Sequence, residues 1–158
     1  MSERTAIALL LLLLTGCHRA PAGATAMLPQ RGYLWQRDWT PAVAAAVTEA
    51  ESKLDGIVIL GAEIHWTGKN PQIIRANIPW EALKNARKPY SIALRIAPFP
   101  GPFVTHDTSE RVIEEMAKSL LDEASVHGVK PAELQLDFDC AQKKLAGYRI
   151  WITALRQA

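Results

Sequence analysis

Asp137 and Asp139 stand two positions apart in the segment Leu134 to Asp139. In an extended strand, residues two apart share a face, so the two carboxylates would project together. Paired carboxylates at a strand end can polarise a sugar, position a water or act as acid and base, and glycosidases use two such groups at defined separations. Glu63 supplies a third carboxylate, two residues before His65. Asp137, Asp139 and Glu63 are therefore the candidate catalytic residues. Around them, Trp35, Gln36, Arg37 and Trp39 could form a carbohydrate platform, with indole faces for stacking and polar groups for hydroxyls. His65 and Trp66 could add a proton carrier and a second stacking surface, and Arg95 completes the candidate binding set. Each residue also has a purely structural role open to it. Glu63, Arg95 and Asp137 could form an ion-pair network, because a buried charge must be paired or solvated. Asp139 with Gln142 has the spacing of a capping box, and the tryptophans could pack in the core.

These side chains need elements to carry them, and the chain alternates strand and helix. Gly32 to Arg37 reads as a short aromatic strand, and Thr40-Pro41 opens a helix with Thr as N-cap and Pro in the first turn. Gly56 to Trp66 is a nearly continuous apolar run, as a sheet covered on both faces requires. Gly68 to Asn77 is a connection with some strand character, and Pro79 to Ala86 a short helix. Tyr90 to Ala97 is the third strand, ended by Pro98, Pro100, Gly101 and Pro102. Asp107 with Glu110 makes a capping box for a long helix that Gly128 stops. After the Leu134 to Asp139 strand, a last helix runs from about Ala141, with Leu145, Tyr148, Trp151, Ile152 and Leu155 on one side. Four consecutive βα units predict an α/β fold with a parallel sheet, either doubly wound or half of a (β/α)8 TIM barrel. In both, polar groups at strand C-termini are where sites are built.

Upstream of the domain lies an address. Arg4, an apolar run from Ala6 to Leu14 and then Leu14-Thr15-Gly16-Cys17 have the layout of a secretion signal over residues 1–16. The apolar run is about half of the roughly 20 residues that a spanning helix needs. Leu14-Thr15-Gly16-Cys17 also resembles the bacterial lipobox, which implies cleavage before Cys17 and lipidation of that residue. Membrane attachment through several acyl chains would be durable, and His18 after the Cys implies the outer membrane of a bacterial envelope, facing periplasm or surface. Residues 17–31, rich in Ala, Pro and Gly, then form a tether to a domain over residues 32–158. With Cys17 lipidated, Cys140 has no disulfide partner and is expected to be buried. No His or second Cys lies near it at metal-ligand spacing, so neither metal nor cofactor is expected.

Composition narrows the partners. The 158 residues are 49% hydrophobic and 22% charged, which fits a globular domain rather than disorder. A net charge of +2 without a basic cluster excludes a nucleic-acid footprint of the usual kind.

The segment from Tyr33 to Pro41, then Gly61-Ala62-Glu63, Arg95 within an apolar strand, and Leu136-Asp137-Phe138-Asp139-Cys140-Ala141 followed by Leu145, Tyr148 and Ala154-Leu155-Arg156 resemble the bacterial domain of unknown function 3142 family. The resemblance covers nearly all of residues 32–158, and the Trp35 to Trp39 and Asp137 to Cys140 segments are its most specific parts. It implies an envelope protein with a barrel-like domain similar to glycoside hydrolases. Members of that family continue with further strands, so this chain corresponds to an N-terminal half. Asp137 and Asp139 also resemble the chitinase pattern Asp-x-Asp-x-Glu, but Ala141 stands at the position of its catalytic acid.

Three functional classes follow. The first is an envelope-anchored lipoprotein that binds polysaccharide at the strand ends. The second is a glycoside-hydrolase-like enzyme. The third is a truncated product without activity of its own, whose open sheet edges call for a homodimer that completes the sheet.

Overall fold

The computed structural model describes residues 28–157. The expected secretion signal, the lipidation expected at Cys17 and the tether up to residue 27 lie outside the described residues. The tether's last residues run straight into the fold. The backbone N–H of Gln30 donates to Asp55 Oδ2 at 2.8 Å and its carbonyl accepts from Asp55 N, also at 2.8 Å.

Strand β1 (Arg31–Leu34) leads to helix α1 (Pro41–Glu51), where Thr40 Oγ1 accepts from Val43 N as the sequence predicts. Strand β2 (Gly56–Thr67) and strand β3 (Asn70–Arg75) form a hairpin across a two-residue turn that places Gly68 at φ +63°. Helix α2 (Trp80–Lys84) precedes strand β4 (Tyr90–Ile96), and helix α3 (Thr108–Val126) follows it. Asp107 caps the helix as expected, while the return bond from Glu110 reaches one residue further back than a capping box requires. Asp107 Oδ1 accepts from Glu110 N at 2.8 Å, and Glu110 Oε2 accepts in return from His106 N at 2.9 Å. Strand β5 (Leu134–Phe138), a single 3-10 turn at Gln142–Lys144 and helix α4 (Leu145–Leu155) complete the domain.

Four strands are parallel and lie in chain order, β1-β2-β4-β5. A doubly wound sheet would reverse direction partway; here one direction is kept, as in a partial TIM barrel. All four helices bury their apolar sides in one cluster with one face of the sheet, through Val47, Leu83, Ile113, Leu120 and Trp151 against Ile59, Ile92, Leu94 and Ile96. The opposite face is therefore the concave one. Among the described residues no helix is long and apolar enough to cross a membrane.

Two departures from the sequence reading concern strand β1 and the 68–77 connection. The latter is a true antiparallel strand. Because β4 holds one side of β2 along Ile57 to Ile64, β3 must take the other side beyond Ala62, the side that β1 takes earlier. β1 accordingly stops at Leu34 rather than Arg37, since the edge of β2 ahead of it is occupied.

The concave face is closed by its own rims. Tyr33 Oη on β1 donates to Gln135 Oε1 on β5 at 2.9 Å, and Arg31 pairs with Glu133 in the same way. Three strand spacings separate β1 from β5, about 14 Å in a flat sheet, and side chains that stand perpendicular to such a sheet do not meet across it, so the sheet is strongly curled. Small and apolar residues, Val58, Leu60, Ser91 and Ala93, are buried beneath the straps. On the outer edge of β5, the carbonyls of Leu136 and Phe138 are met by Tyr148 Oη at 3.4 Å and Cys140 N at 2.7 Å, which covers part of an otherwise open edge. Burial, and then the nearby charges of Cys140 and Asp137, raise the Tyr148 hydroxyl above its ordinary pKa, so it remains a donor. Cys140 itself is half-buried rather than enclosed, with Sγ 3.6 Å from the carbonyl of Ala141.

Candidate functional site

A bulge in β2 sets the site. Pairing with β4 runs Leu60 to Ala93 and then Ala62 to Leu94, so Gly61 is the extra residue and the in-out alternation shifts by one. Before it Val58 and Leu60 face the concave side; after it Glu63 and His65 do, while Ala62 and Ile64 turn into the core. Gly61 is needed there because a Cβ would lie 2.6 Å from Ile92 Cγ2 and 2.9 Å from Leu120 Cδ1.

Glu63 is 8% exposed. Arg37 grips its carboxylate with two bonds, Nη2 to Oε2 at 2.7 Å and Nε to Oε1 at 3.3 Å, and His65 Nε2 lies 2.9 Å from Oε2. The backbone of Arg37 is fixed in turn by Asn77 N donating to its carbonyl at 2.7 Å. The Arg37 hydrogen bonds, against the cost of burial and with help from His65, hold the Glu63 carboxyl below its ordinary pKa. A glycosidase acid needs the reverse, a carboxyl that retains its proton near neutrality. Glu63 in this setting is a fixed anion.

The second cluster lies one and two strands away. Arg95 and Asp137 are register partners on β4 and β5, with Nε 3.8 Å from Oδ2, and Arg95 Nη2 lies 3.5 Å from Asp139 Oδ2. Neither contact is a hydrogen bond, and among the described residues the Arg95 guanidinium makes none. Its carbon sits 5.7 Å from the centre of the Trp35 ring, within cation–π range. Trp35 stacks on Tyr33 with centroids 5.5 Å apart and planes inclined by 15°. Both rings reach solvent, Tyr33 at 53% and Trp35 at 39% exposure, and with Gln135, Leu136 and Asp137 they line a shallow groove of about 340 Å³.

The expected network of Glu63, Arg95 and Asp137 is thus two clusters. Glu63 is Arg95's neighbour in the β2–β4 register, but Arg37 offers it a planar two-bond grip, the stronger arrangement. Asp139 does not cap the last helix. The 3-10 turn begins after Ala141 with no side-chain cap, and Asp139 turns to Arg95 instead. Of the candidate binding residues, Trp35 and Arg95 meet at the groove, Arg37 and His65 belong to the Glu63 cluster, and Gln36 is exposed. Trp39 and Trp66 pack against the helix-side core, where Trp66 meets Phe99 edge-on at 4.8 Å. The groove residues absent from the candidate set are Tyr33 and Gln135. Their signal was the two-residue period, since each stands two positions before a candidate, Trp35 and Asp137. Among the described residues no three His, Cys, Asp or Glu side chains converge as a metal site would need.

No family model, curated protein or solved structure matches this chain.

Proposed function

We propose that this is an envelope lipoprotein, anchored through Cys17, that binds carbohydrate at the strand ends of its half-barrel domain. The observation that carries the reading is the open hydrogen-bonding capacity of Arg95, Asp137 and Asp139 beside an exposed aromatic pair. A sugar ring presents apolar C–H faces to Tyr33 and Trp35, while its hydroxyls donate to the aspartates and accept from the guanidinium. The groove is at the small end of ligand sites, which suits one or two sugar units of a longer chain. Membership of the domain of unknown function 3142 family is part of the same proposal and rests on the same residues, Trp35, Arg95, Asp137 and Asp139 among them. Glu63 is assigned no part in it, because its carboxylate is engaged by Arg37 and His65.

A glycan array probed with the full chain tests the proposal. Binding to a polysaccharide fragment should fall at least tenfold in Trp35→Ala and in Asp137→Asn. Asp137→Asn should leave stability within about 1 kcal/mol, since the Arg95 contact is long and exposed. A chain that binds no arrayed glycan, or variants that bind as the parent does, would overturn the assignment.

A further inference from the structure

Residues 140–158 contain Lys143, Lys144, Arg149 and Arg156 and no aspartate or glutamate, a local charge of +4 where the whole chain carries +2. Lys144 is used structurally, its Nζ donating to the carbonyls of Phe99 and Pro100 at 2.7 and 2.9 Å. Arg156 lines a separate apolar groove between α3 and α4. Arg149 is different. Among the described residues its guanidinium has neither a carboxylate partner nor a hydrogen bond, and it lines a cleft of about 690 Å³ with Thr105, His106, Ile150, Thr153 and Gln157. Among the described residues no carboxylate lines this cleft.

The opposite wall is built with strain. His106 holds φ at +60°, the only described residue besides glycine in that region, and side chains enter it at a cost. Glu110, itself buried, fixes this conformation by accepting from His106 N at 2.9 Å, and Asp107 beside it is committed to capping α3. The acids near His106 are thus engaged on backbone amides, while His106 lines the same cleft as the unpaired Arg149.

We propose that this cleft binds a phosphate-type anion, with Arg149 as the two-bond anchor and His106, Thr105 and Gln157 as further donors. The Thr153 hydroxyl is not among them, since it donates to the carbonyl of Arg149 at 2.8 Å. The phosphate could be free in solution or the headgroup of a phospholipid; the recognition chemistry is the same. This site is independent of the carbohydrate groove, and either can fail without the other.

The test is an isotope-edited NMR titration of the full chain with inorganic phosphate and, in a second arm, with monomeric short-chain phosphatidylglycerol. Shifts at Arg149 and His106 with phosphate would identify a free anion as the ligand; shifts with the phospholipid alone would identify a headgroup. In either arm Arg149→Gln should weaken binding at least tenfold and His106→Asn, which tolerates the same backbone, should weaken it severalfold. Arg156→Gln removes the same charge from the same helix and should change binding less than twofold. Absence of binding in both arms, or equal loss in Arg149→Gln and Arg156→Gln, would overturn the proposal. Circular dichroism melts of the exposed-site variants separate lost binding from lost folding.

Discussion

At the residue scale, Glu63 shows how a buried carboxylate is stabilised by partners that differ in origin. His65 could be foreseen from the two-residue period, because it shares a face with Glu63. Arg37 could not, since it lies past the end of β1 on a segment whose path no periodicity fixes. Asp139 illustrates the opposite error. A capping spacing was visible in the sequence, but a nearby arginine and an intervening 3-10 turn outweighed it. Glu63→Gln exchanges a charged for a neutral hydrogen-bond acceptor and should cost about 1–2 kcal/mol in chemical denaturation. The pH dependence has a definite sign. The folded-state pKa of Glu63 is lowered, so its contribution is complete above its unfolded value of about 4.3 and is lost as pH falls through the folded value. Thermal melts from pH 6 to pH 3 should therefore decline more steeply for the parent than for Glu63→Gln; parallel declines would remove Glu63 from the acid response.

At the scale of elements, the βα alternation was readable because parallel strands buried on both faces are apolar throughout and the helices are punctuated by Thr40-Pro41, Asp107 and Gly128. β3 was legible only as a connection with some strand character, because it is exposed on both faces and carries no alternation, with Ile73 and Ile74 both open to solvent. The bulge at Gly61 was hidden, although it decides which side of β2 meets the groove. A single methyl added at that position must push apart Ile92 and Leu120, so Gly61→Ala should destabilise by about 1–3 kcal/mol in urea unfolding. Because the same movement disturbs the register beyond the bulge, the NMR signals of His65 should shift as well. An unchanged unfolding midpoint would mean that the strand absorbs the methyl without moving.

At the scale of the whole molecule, helices on one side and a curled sheet on the other give the domain two unlike surfaces. The fold class was legible from the order of elements, whereas the closing of the concave face was not, because it depends on side chains meeting across two intervening strands. Anchoring, if it proceeds through the lipobox, is a property of the full chain and has its own test. Cys17→Ser should abolish acylation and leave the precursor uncleaved before residue 17, and unchanged acylation together with unchanged membrane fractionation would refute the anchor. Tyr33 belongs at once to the stack with Trp35 and to the bond with Gln135. A guest that displaces its ring therefore tugs on the far rim, so the arc works like a pair of tweezers whose tip is also its sensor, and occupancy should be readable as a change in the spread of the jaws.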